Sequence, residues 1–336
     1  MKAFVQTAVG EFSQRDLPVP KPGPGEAVVR VRTALTCGTD LKLLQRGHPR
    51  VQLPVTMGHE LCGEVVEVGP GVDPALVGQR VVPGVSGPCG RCADCRRGFA
   101  NLCAAGHADR TWGAFAEFVR VSAGVVASNL HRPPDALSDE AAAFLDPLAS
   151  VLHGWNRLTR EPGRLLIYGS GALTLLWAAT ARQRGAAAIV AGRRPERLNL
   201  ASGCGAEVLD LDRYKPEDLF SRTGALPDAA VDCTGDADVW MRLANLVRSG
   251  GDILLFGGCA PGVRVTYDAA RLHYSELSLI GSFHYTPDEA RAAMAALADG
   301  SVEPRALVTD SGTLSDLPRF LEAQARGEGL RYAIRP

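Results

Sequence analysis

Short apolar runs separated by turn residues make up the first part of the chain. The runs EAVVRVRTAL and LCGEVVEVG are rich in valine and partly alternate with polar positions, and the turn signal PKPGPGE precedes the first of them. Alternation over short runs is typical of strands with one buried face. The sequence therefore predicts a mostly β domain over residues 1–147, and similar strand-like pieces recur within residues 300–336.

The pattern changes at about Leu148. From there, strand-like runs such as RLLIYGSG and DILLFGG alternate with longer Ala-, Leu- and Arg-rich helical stretches such as ALTLLWAATARQRG. Strand–helix alternation implies βαβ units and a parallel sheet. We therefore predict an α/β domain over residues 148–299, and two domains agree with a length of 336 residues at roughly 150 residues per domain.

Composition and charge exclude several classes of protein. Apolar residues make up 46% of the chain and charged residues 22%, which favours a packed globular core over disorder. The 36 basic and 37 acidic residues nearly cancel, so we expect neither a nucleic-acid partner nor a membrane held by bulk charge. No apolar stretch reaches the roughly 20 residues of a membrane-spanning helix. The N-terminus lacks the apolar segment of a signal peptide, so we expect a cytoplasmic protein.

A glycine turn follows the first strand of the predicted α/β domain. The apolar run 165–168 leads into Gly169-Ser170-Gly171, and a helix is predicted from Ala172-Leu173 onward. In this context the glycines let the backbone approach a pyrophosphate, and the N-terminal N–H groups of the helix bind the phosphates. Thr174 replaces the third glycine of the usual pattern, which serves helix–strand packing. The segment predicts a dinucleotide site, with an ordinary strand–turn–helix as the alternative.

The end of the second strand of this domain indicates which dinucleotide binds. Gly192-Arg193-Arg194 stands where an acidic residue would bind the ribose 2′-hydroxyl of NAD. Two guanidinium groups suit a 2′-phosphate instead, because arginine forms charge-assisted bonds to phosphate. We therefore predict NADP(H) over NAD(H); the alternative is that both arginines lie on a solvated turn.

Nine cysteines are unevenly distributed, and four of them fall in the segment CGRCADCRRGFANLC. Two-residue gaps let consecutive thiolates converge on one ion, and the longer gap lets the loop fold back to supply the fourth ligand. Four thiolates form a closed tetrahedral site, which suits a structural zinc ion. An iron–sulfur site and a metal-free thiol cluster are the alternatives. The predicted ligands are Cys89, Cys92, Cys95 and Cys103.

A second group of metal-ligand residue types is spread along the chain. Cys37 lies in TCGTD, His59 and Glu60 lie in MGHELCGE, and Asp146 lies in FLDPLASVLHGW. Each has an ordinary structural explanation: a small buried thiol, a core histidine with satisfied hydrogen bonds, or a helix cap before Pro147. Spacing alone does not bring these distant segments together.

In their order along the chain, these motifs resemble the zinc-dependent medium-chain dehydrogenase/reductase family, which includes alcohol, sorbitol and threonine dehydrogenases. The resemblance runs from the MKAFV strand through the motifs above to VDCTG, SGGDILLFGG and GSFHYTPDEARAAM. It implies a GroES-like β domain, formed by residues 1–147 and 300–336, and a Rossmann doubly wound parallel-sheet domain over residues 148–299. It places the active site in the cleft between the two domains.

The resemblance implies a catalytic zinc site. Cys37 and His59 match the family's zinc ligands, and Asp146 lies where the family supplies the third ligand. Glu60 matches a residue that binds the ion in some members when water or substrate is absent. Asp40 matches a carboxylate that orients the His59 ring and fixes its tautomer.

The resemblance also implies a proton path and further cofactor contacts. Thr39 matches the hydroxyl that exchanges a proton with the substrate oxygen. Lys42 stands where many members have a histidine, so it is expected to touch the cofactor, as is Thr234 in VDCTG. Zinc polarises the substrate oxygen, and the nicotinamide transfers a hydride to or from the neighbouring carbon.

These observations predict a zinc-dependent NADP(H) oxidoreductase with two zinc ions per chain and a small-molecule substrate. Asp146 and the polar Ser150 and His153 favour a polyol, cyclitol or amino sugar, with ketone reduction as the direction. One alternative is a simple secondary-alcohol or threonine-type dehydrogenase that uses NAD(H). Another is a non-catalytic member that binds zinc or cofactor. The family implies a homo-oligomer, either a dimer or a tetramer.

Overall fold

The computed structural model describes residues 1–48 and 51–336. The chain divides into two compact units, one formed by residues 1–149 and 284–336 and the other by residues 150–283. The first boundary lies close to the predicted one at 147/148. The second lies 16 residues before the predicted boundary at 299/300, since residues 284–299 belong to the first unit.

Two contacts explain the earlier second boundary. The helix Pro287–Ala298 packs on the helix Asp139–Ala142 of the first unit. The Tyr285 hydroxyl donates a hydrogen bond to Asp146, also in the first unit. Neither contact is visible in the local apolar pattern, which reads residues 284–299 as a continuation of the strand–helix alternation.

Strands of the first unit form two sheets. One has the order β2-β1-β4, and the other has the order β15-β16-β3-β5-β6-β8, with β7 also paired to β3. Neighbours pair antiparallel except β15 and β16, which are parallel. The strands are β1 Lys2–Ala8, β2 Glu11–Asp16, β3 Ala27–Leu35, β4 Val55–Thr56, β5 Glu60–Val68, β6 Arg80–Pro83, β7 Phe118–Val121, β8 Leu130–His131, β15 Val308–Thr313 and β16 Arg331–Arg335.

The alternation along β3 explains how this sheet buries one face. Arg30 and Arg32 are exposed, whereas Val29 and Val31 between and before them are buried. Side chains two residues apart share a face of a strand, so the valines enter the core and the arginines face solvent. The core around them includes Phe115, which is fully buried.

Helices of the first unit are mostly short. Their bounds are α1 Gly38–Arg46, α2 Ala93–Arg96, α3 Ala104–Ala108, α4 Ala123–Ser128, α5 Asp139–Ala142, α12 Pro287–Ala298 and α13 Leu317–Ala325. The helix α6, Leu145–Arg157, begins in the first unit and continues into the second. Single 3-10 turns occur at Pro74–Leu76, Ala100–Leu102, Arg305–Leu307 and Leu314–Asp316.

The second unit contains one parallel sheet with helices in its crossovers. Its strands are β9 Arg164–Tyr168, β10 Ala187–Gly192, β11 Glu207–Asp210, β12 Ala229–Asp232, β13 Asp252–Leu255 and β14 Ser278–Gly281. Its helices are α7 Ala172–Gln183, α8 Pro195–Gly203, α9 Leu219–Thr223, α10 Ala237–Leu243 and α11 Ala269–Tyr274, with a 3-10 turn at Pro216–Asp218.

The strand order in this sheet is β11-β10-β9-β12-β13-β14, and every pairing is parallel. The order reverses beside β9, so the loops after β9 and β12 form a switch point, where open α/β sheets bind ligands. The predicted doubly wound parallel sheet is confirmed. Within the described residues, every helix is too short or too polar to cross a membrane.

Candidate functional site

Four cysteine side chains converge in one loop of the first unit. The sulfur atoms of Cys89, Cys92, Cys95 and Cys103 lie within 4.8 Å of one another. Zn–S bonds of about 2.3 Å in a tetrahedron separate sulfur atoms by about 3.8 Å. The loop is shaped by its own sulfurs, because Cys92 and Cys103 accept backbone hydrogen bonds at the starts of α2 and α3. The donor set therefore fits a closed zinc site.

The backbone of this loop already favours the thiolate form of one cysteine. The N–H groups of Arg91 and Cys92 lower the pKa of Cys89 to about 6. Burial and hydrogen bonding with Cys92 raise the pKa of Cys95 to about 12. Since thiolates are the metal-binding form, zinc binding here displaces protons from the thiols that are still protonated.

A second group of ligand atoms combines three residue types. The ligand atoms of Cys37, His59 and Glu60 lie within 4.8 Å of one another, and all three residues are buried. The sheet register brings them together: Leu35 at the end of β3 pairs with Glu60 at the start of β5. Cys37 follows β3 by two residues and His59 directly precedes β5, so both lie at the same edge of the sheet.

Asp40 holds two members of this group in place. Its Oδ2 accepts a hydrogen bond from the Cys37 backbone N–H at 2.8 Å, which caps α1. Its Oδ1 lies 3.5 Å from His59 Nδ1. A carboxylate in this position fixes the ring orientation and leaves Nε2 for a metal ion. Trp112 stacks on a face of the His59 ring, with centroids 4.6 Å apart and planes 12° apart.

The electrostatics of the group depend on Arg331, a buried residue of β16. Its Nη2 lies 3.2 Å from Glu60 Oε1, and its Nη1 donates to the Thr36 carbonyl at 2.6 Å. Burial alone would raise the pKa of Cys37, but Arg331 and His59 hold it well below its usual value. Burial raises the pKa of Glu60 well above its usual value, although Arg331 opposes this effect.

This arrangement fits a divalent cation. Three acidic side chains, Cys37, Asp40 and Glu60, are buried around one buried guanidinium group. Neither Glu60 oxygen accepts a hydrogen bond among the described residues, although Oε1 forms an ion pair with Arg331. Uncompensated charge and unpaired oxygen atoms are costly in a protein interior. A zinc ion satisfies both deficits, and thiolate, imidazole and carboxylate are its usual ligands.

Asp146, the predicted third ligand, lies outside this group of ligand atoms. It is the second residue of α6, and its Oδ1 accepts a hydrogen bond from the Tyr285 hydroxyl at 2.7 Å. Glu60 is the carboxylate whose ligand atom lies within 4.8 Å of those of Cys37 and His59, and Asp146 as a zinc ligand stays a prediction. Two other predicted residues lie on α1: Thr39 in its first turn and Lys42 further along, both partly buried.

The second unit contains a cavity of about 370 Å³ at the sheet's switch point. Gly169, Ser170 and Thr234 from the loops after β9 and β12 line it, together with Arg193 and Arg194 after β10. The predicted residues of α7, Ala172 and Leu173, and the capping Gly171 are not among the lining residues.

Glycine is present at two positions of this cavity where a side chain would crowd the neighbouring atoms. Gly169 has a φ of 135°, and a Cβ there would lie 3.0 Å from Thr174 Oγ1. A Cβ on Gly192 would lie 2.7 Å from the Gly169 carbonyl oxygen. Thr174, which replaces the third glycine, is fully buried in α7.

Guanidinium groups form one side of the cavity. Arg193 is exposed, with its Nε 3.5 Å from Asp212 Oδ1, and Arg194 precedes α8 with a φ of 73°. Arg197 also lines the cavity and donates to the Ser170 carbonyl at 3.4 Å. Strand β10 ends at Gly192 with no carboxylate at the position that binds a ribose 2′-hydroxyl.

The Thr234 side of the cavity is held by a buried carboxylate. Asp232 accepts hydrogen bonds from the backbone and hydroxyl of Thr234, the Gly235 backbone and the Trp240 indole, at distances of 2.5–2.9 Å. Four donors fully satisfy the two oxygens. The loop after β12 therefore has one fixed conformation against the cavity.

Four residues of these sites were not predicted from the sequence: Arg331, Tyr285, Trp112 and Arg197. Arg331 opens the strand-like run RYAIRP, and an arginine there is as readily exposed as Arg335 is, so its burial carries no local signal. Tyr285 lies in a motif used for the family resemblance, but its partner is 139 positions away. Trp112 and Arg197 carry no local signal.

Comparison with known families agrees with both units. A family model described as "Alcohol dehydrogenase GroES-like domain" matches residues 23–131, and one described as "Zinc-binding dehydrogenase" matches residues 172–299. Sorbitol dehydrogenase of Halalkalibacterium halodurans is 30% identical over 100% of this chain and 99% of its own. D-altritol 5-dehydrogenase of Agrobacterium fabrum is 33% identical over 95% of each chain.

A solved structure extends the agreement to three dimensions. A zinc-binding dehydrogenase from Sinorhizobium meliloti 1021, bound to NADP, superposes with a TM-score of 0.90 at 29% identity. The match covers 100% of this chain and 99% of that one. A GroES-like β domain with a Rossmann sheet defines the class of zinc-binding oxidoreductases that use a nicotinamide cofactor, and the predicted fold class is confirmed.

The chain belongs to the zinc-dependent medium-chain dehydrogenase/reductase family. It is an oxidoreductase of the NAD(P)-dependent alcohol dehydrogenase type, as the sequence predicted.

Proposed function

We propose that this enzyme interconverts a secondary alcohol and a ketone on a polyol, cyclitol or amino-sugar substrate, with NADP(H) as cofactor and ketone reduction as its direction. The observation that carries the proposal is the buried group of Cys37, His59 and Glu60, whose thiol, imidazole and carboxyl ligand atoms lie within 4.8 Å of one another, as a zinc ion needs. Two of the relatives described above carry the names of polyol dehydrogenases, sorbitol and D-altritol 5-dehydrogenase.

Two zinc ions per chain follow from the two groups of ligand atoms. Cys89, Cys92, Cys95 and Cys103 would hold a structural ion. Cys37, His59 and Asp146 would hold a catalytic one, with Glu60 as a further ligand. When bound, the catalytic zinc polarises the substrate oxygen beside the nicotinamide, which supplies or accepts the hydride.

The residues around the catalytic group have separate tasks in this proposal. Asp40 orients the His59 ring through Nδ1. The Thr39 hydroxyl passes a proton to the substrate oxygen in reduction and takes it back in oxidation. Arg331 Nη2, 3.2 Å from Oε1, fixes the Glu60 carboxyl group and favours its ionised form against the effect of burial. Lys42, on the same helix as Thr39, is proposed to contact the cofactor.

The cofactor preference rests on three guanidinium groups. Arg193, Arg194 and Arg197 line the cavity, and arginine forms charge-assisted, often bidentate bonds to phosphate. Gly169, Ser170 and Gly171, with Ala172 and Leu173 at the start of α7, would bind the pyrophosphate. Thr234 would contact the nicotinamide half.

The substrate class rests on the polar residues of α6. Asp146, Ser150 and His153 recur at positions i, i+4 and i+7, which lie on one face of a helix. A carboxylate, a hydroxyl and an imidazole suit a substrate with several hydroxyl groups better than an aliphatic one. The oligomeric state and the cytoplasmic location stay predictions from the sequence.

Initial rates with a panel of ketones test the proposal. NADPH oxidation is measured with ketoses, keto-cyclitols, amino-sugar ketones and small aliphatic ketones, and each rate is repeated with NADH. We expect the highest kcat/KM for a polyhydroxylated ketone with NADPH. Preference for a simple ketone would contradict the substrate class, and a clear preference for NADH would contradict the cofactor.

The variant Arg193→Asp sharpens the cofactor test. An acidic side chain repels a 2′-phosphate and accepts a hydrogen bond from a 2′-hydroxyl, so the ratio of kcat/KM for NADPH over NADH should fall about 100-fold. Arg213→Asp, a change to an exposed arginine that pairs with Asp210 outside the cavity, is the matched control. An equal effect in both variants would show that only general charge matters.

A further inference from the structure

The Tyr285 side chain is enclosed within the first unit, and its hydroxyl has two polar neighbours. The hydroxyl lies 2.7 Å from Asp146 Oδ1 and 3.2 Å from the backbone nitrogen of Val85. Tyr285 is 1% exposed, so water does not compete for these contacts. Because the Val85 N–H can only donate, the phenol oxygen accepts that bond and directs its own proton to the Asp146 carboxylate.

The backbone on which Tyr285 lies is held in an uncommon conformation. His284, the residue before it, has a φ of 58°, which is rare for a residue other than glycine. Its Nε2 lies 2.6 Å from the Ser86 hydroxyl, so residues 284–285 contact residues 85–86 in two places. Such conformations persist only where the surroundings enforce them, and they concentrate at functional sites. These contacts fix the position of the Tyr285 hydroxyl.

The acceptor, Asp146, uses one of its two carboxylate oxygens in this bond. The other oxygen, Oδ2, accepts no hydrogen bond from the residues that the structure describes. Burial raises the pKa of Asp146, whereas the charge of His59 and the bond from Tyr285 lower it. The charge of Cys37 raises the same pKa. Since charges act on one another mainly over short distances, Asp146 lies within electrostatic reach of Cys37 and His59.

We propose that Tyr285 is a positioning residue that orients the Asp146 carboxylate toward the catalytic zinc ion. A hydrogen bond to one carboxylate oxygen fixes the plane of the group and leaves the other oxygen for the metal, as the outer partners of zinc ligands do. The inference rests on the proposed function, which makes Asp146 a ligand. It adds a residue outside the ligand set, 139 positions away from Asp146, on which the zinc affinity of that site depends.

The test compares the zinc affinity of the purified holoenzyme with that of Tyr285→Phe. Competition with a chromogenic chelator gives the dissociation constant of the catalytic ion, and the four-thiolate site serves as the internal reference. We expect the affinity of the catalytic site to fall about 10-fold, because the Asp146 carboxylate loses its fixed orientation. Unchanged or tighter binding would overturn the proposal.

A second buried tyrosine of the same unit supplies the matched control. Tyr332→Phe removes a hydrogen bond from the Tyr332 hydroxyl to the Glu328 carbonyl and should leave the zinc affinity unchanged. With cobalt in the catalytic site, the visible spectrum reports the ligand geometry, so it should change in Tyr285→Phe but not in Tyr332→Phe. Equal effects in the two variants would show that only the loss of a buried hydroxyl matters, which contradicts the proposal.

A double-mutant cycle separates positioning from a general effect on the fold. Asp146→Ala removes the carboxylate and should lower the zinc affinity, and adding Tyr285→Phe to it should cause no further fall. A purely structural role of Tyr285 would lower the affinity equally in both backgrounds, and that result would overturn the proposal. Failure of the proposed function looks different, because Asp146→Ala alone would then bind the catalytic zinc as tightly as the wild type.

The wild-type enzyme provides a test that does not depend on the folding of any variant. In a crystal structure of the zinc-loaded holoenzyme, Asp146 Oδ2 should bind the ion while the Tyr285 hydroxyl stays within hydrogen-bond distance of Oδ1. Separation of the hydroxyl from Oδ1 in that structure would overturn the proposal. An ion bound without Asp146 would overturn the ligand assignment and the inference that rests on it.

Discussion

The two metal-binding groups of the first unit are built in opposite ways. The four thiolates come from a single loop, Cys89–Cys103, and two of them cap helices within it. Cys37 and Glu60 come from the ends of two different strands, and Arg331, near the end of the chain, offsets part of their negative charge. Residue spacing thus encodes the first group, whereas sheet register encodes the second.

This contrast separates stability from activity. The loop has a few short helical turns to hold it, so bound metal contributes directly to its folding. The second group lies on paired strands with a buried core beneath them, and that scaffold forms from apolar packing. Metal loss should therefore unfold the loop but leave the scaffold of the second group intact.

The largest expected effect is the loss of activity in Cys37→Ala. Removing the thiolate should abolish zinc binding at this group and lower kcat/KM at least about 1,000-fold, because substrate polarisation is lost. The melting temperature should change by only a few degrees. Metal analysis should give about one zinc ion per chain. Unfolding of the variant would show that this group, like the cysteine loop, is needed for stability.

Cys92→Ser should reverse this pattern. The variant keeps the catalytic ligands but loses a thiolate that also caps α2, so we expect a fall in melting temperature of at least about 5 °C, from a loss of roughly 2–4 kcal/mol. Thermal unfolding followed by circular dichroism measures it. Cys204→Ser, at a partly buried cysteine of α8's C-cap, is the control that should change stability less.

Asp40→Asn should weaken zinc binding at the group that contains Cys37 and His59, but not at the four-thiolate loop. The amide keeps the shape of the side chain but removes the charge that faces His59 Nδ1, so zinc affinity there should fall about 10- to 100-fold. Competition with a chelator measures this change. An equal change at the four-thiolate loop would show that the two sites are not independent.

The smallest expected effect is on the unfolding free energy at acid pH. It concerns His131, so it distinguishes loss of the fold from loss of metal. Burial, followed by Arg291, lowers the pKa of His131 to about 4. The unfolded chain binds a proton at about pH 6.5 and the folded chain only at about pH 4, so stability is present above pH 6.5 and lost as the pH falls to 4. His131→Gln should remove this pH dependence, which amounts to at most about 3 kcal/mol.

Chemical denaturation at pH 7 and pH 4.5 gives the measurement for His131. Glutamine can keep a hydrogen bond to Asn129 Oδ1, which lies 2.8 Å from His131 Nε2. The unfolding free energy of the wild type should therefore fall more between pH 7 and pH 4.5 than that of the variant. If the unfolding free energy fell equally with pH in both proteins, groups other than His131 would cause the acid sensitivity.

The sequence predicts features that depend on neighbours along the chain. The run RLLIY is buried over four of its five residues and forms the central strand β9, as its uninterrupted apolar character indicates. Cysteine spacing likewise indicates which side chains converge. Both predictions need only local geometry.

The pattern of hydrophobic and polar positions does not predict contacts between residues that are far apart in the chain. The pairing of Leu35 with Glu60 brings Glu60 beside Cys37 and His59, and the Tyr285 hydroxyl bonds Asp146, 139 positions away in the chain. The same long-range packing assigns residues 284–299 to the first unit. A one-residue change of register would alter each of these contacts without changing local hydrophobicity.

The position of Arg331 has a consequence for how the enzyme is made. Glu60 leaves the ribosome long before Arg331 is synthesised, and at about 5–20 residues per second the delay is roughly 15–50 seconds. During that interval Glu60 has no guanidinium partner, and β3 lacks its neighbour β16. The catalytic centre is therefore completed after translation of the final strand, whereas the cysteine loop can capture its ion while the nascent chain is still growing.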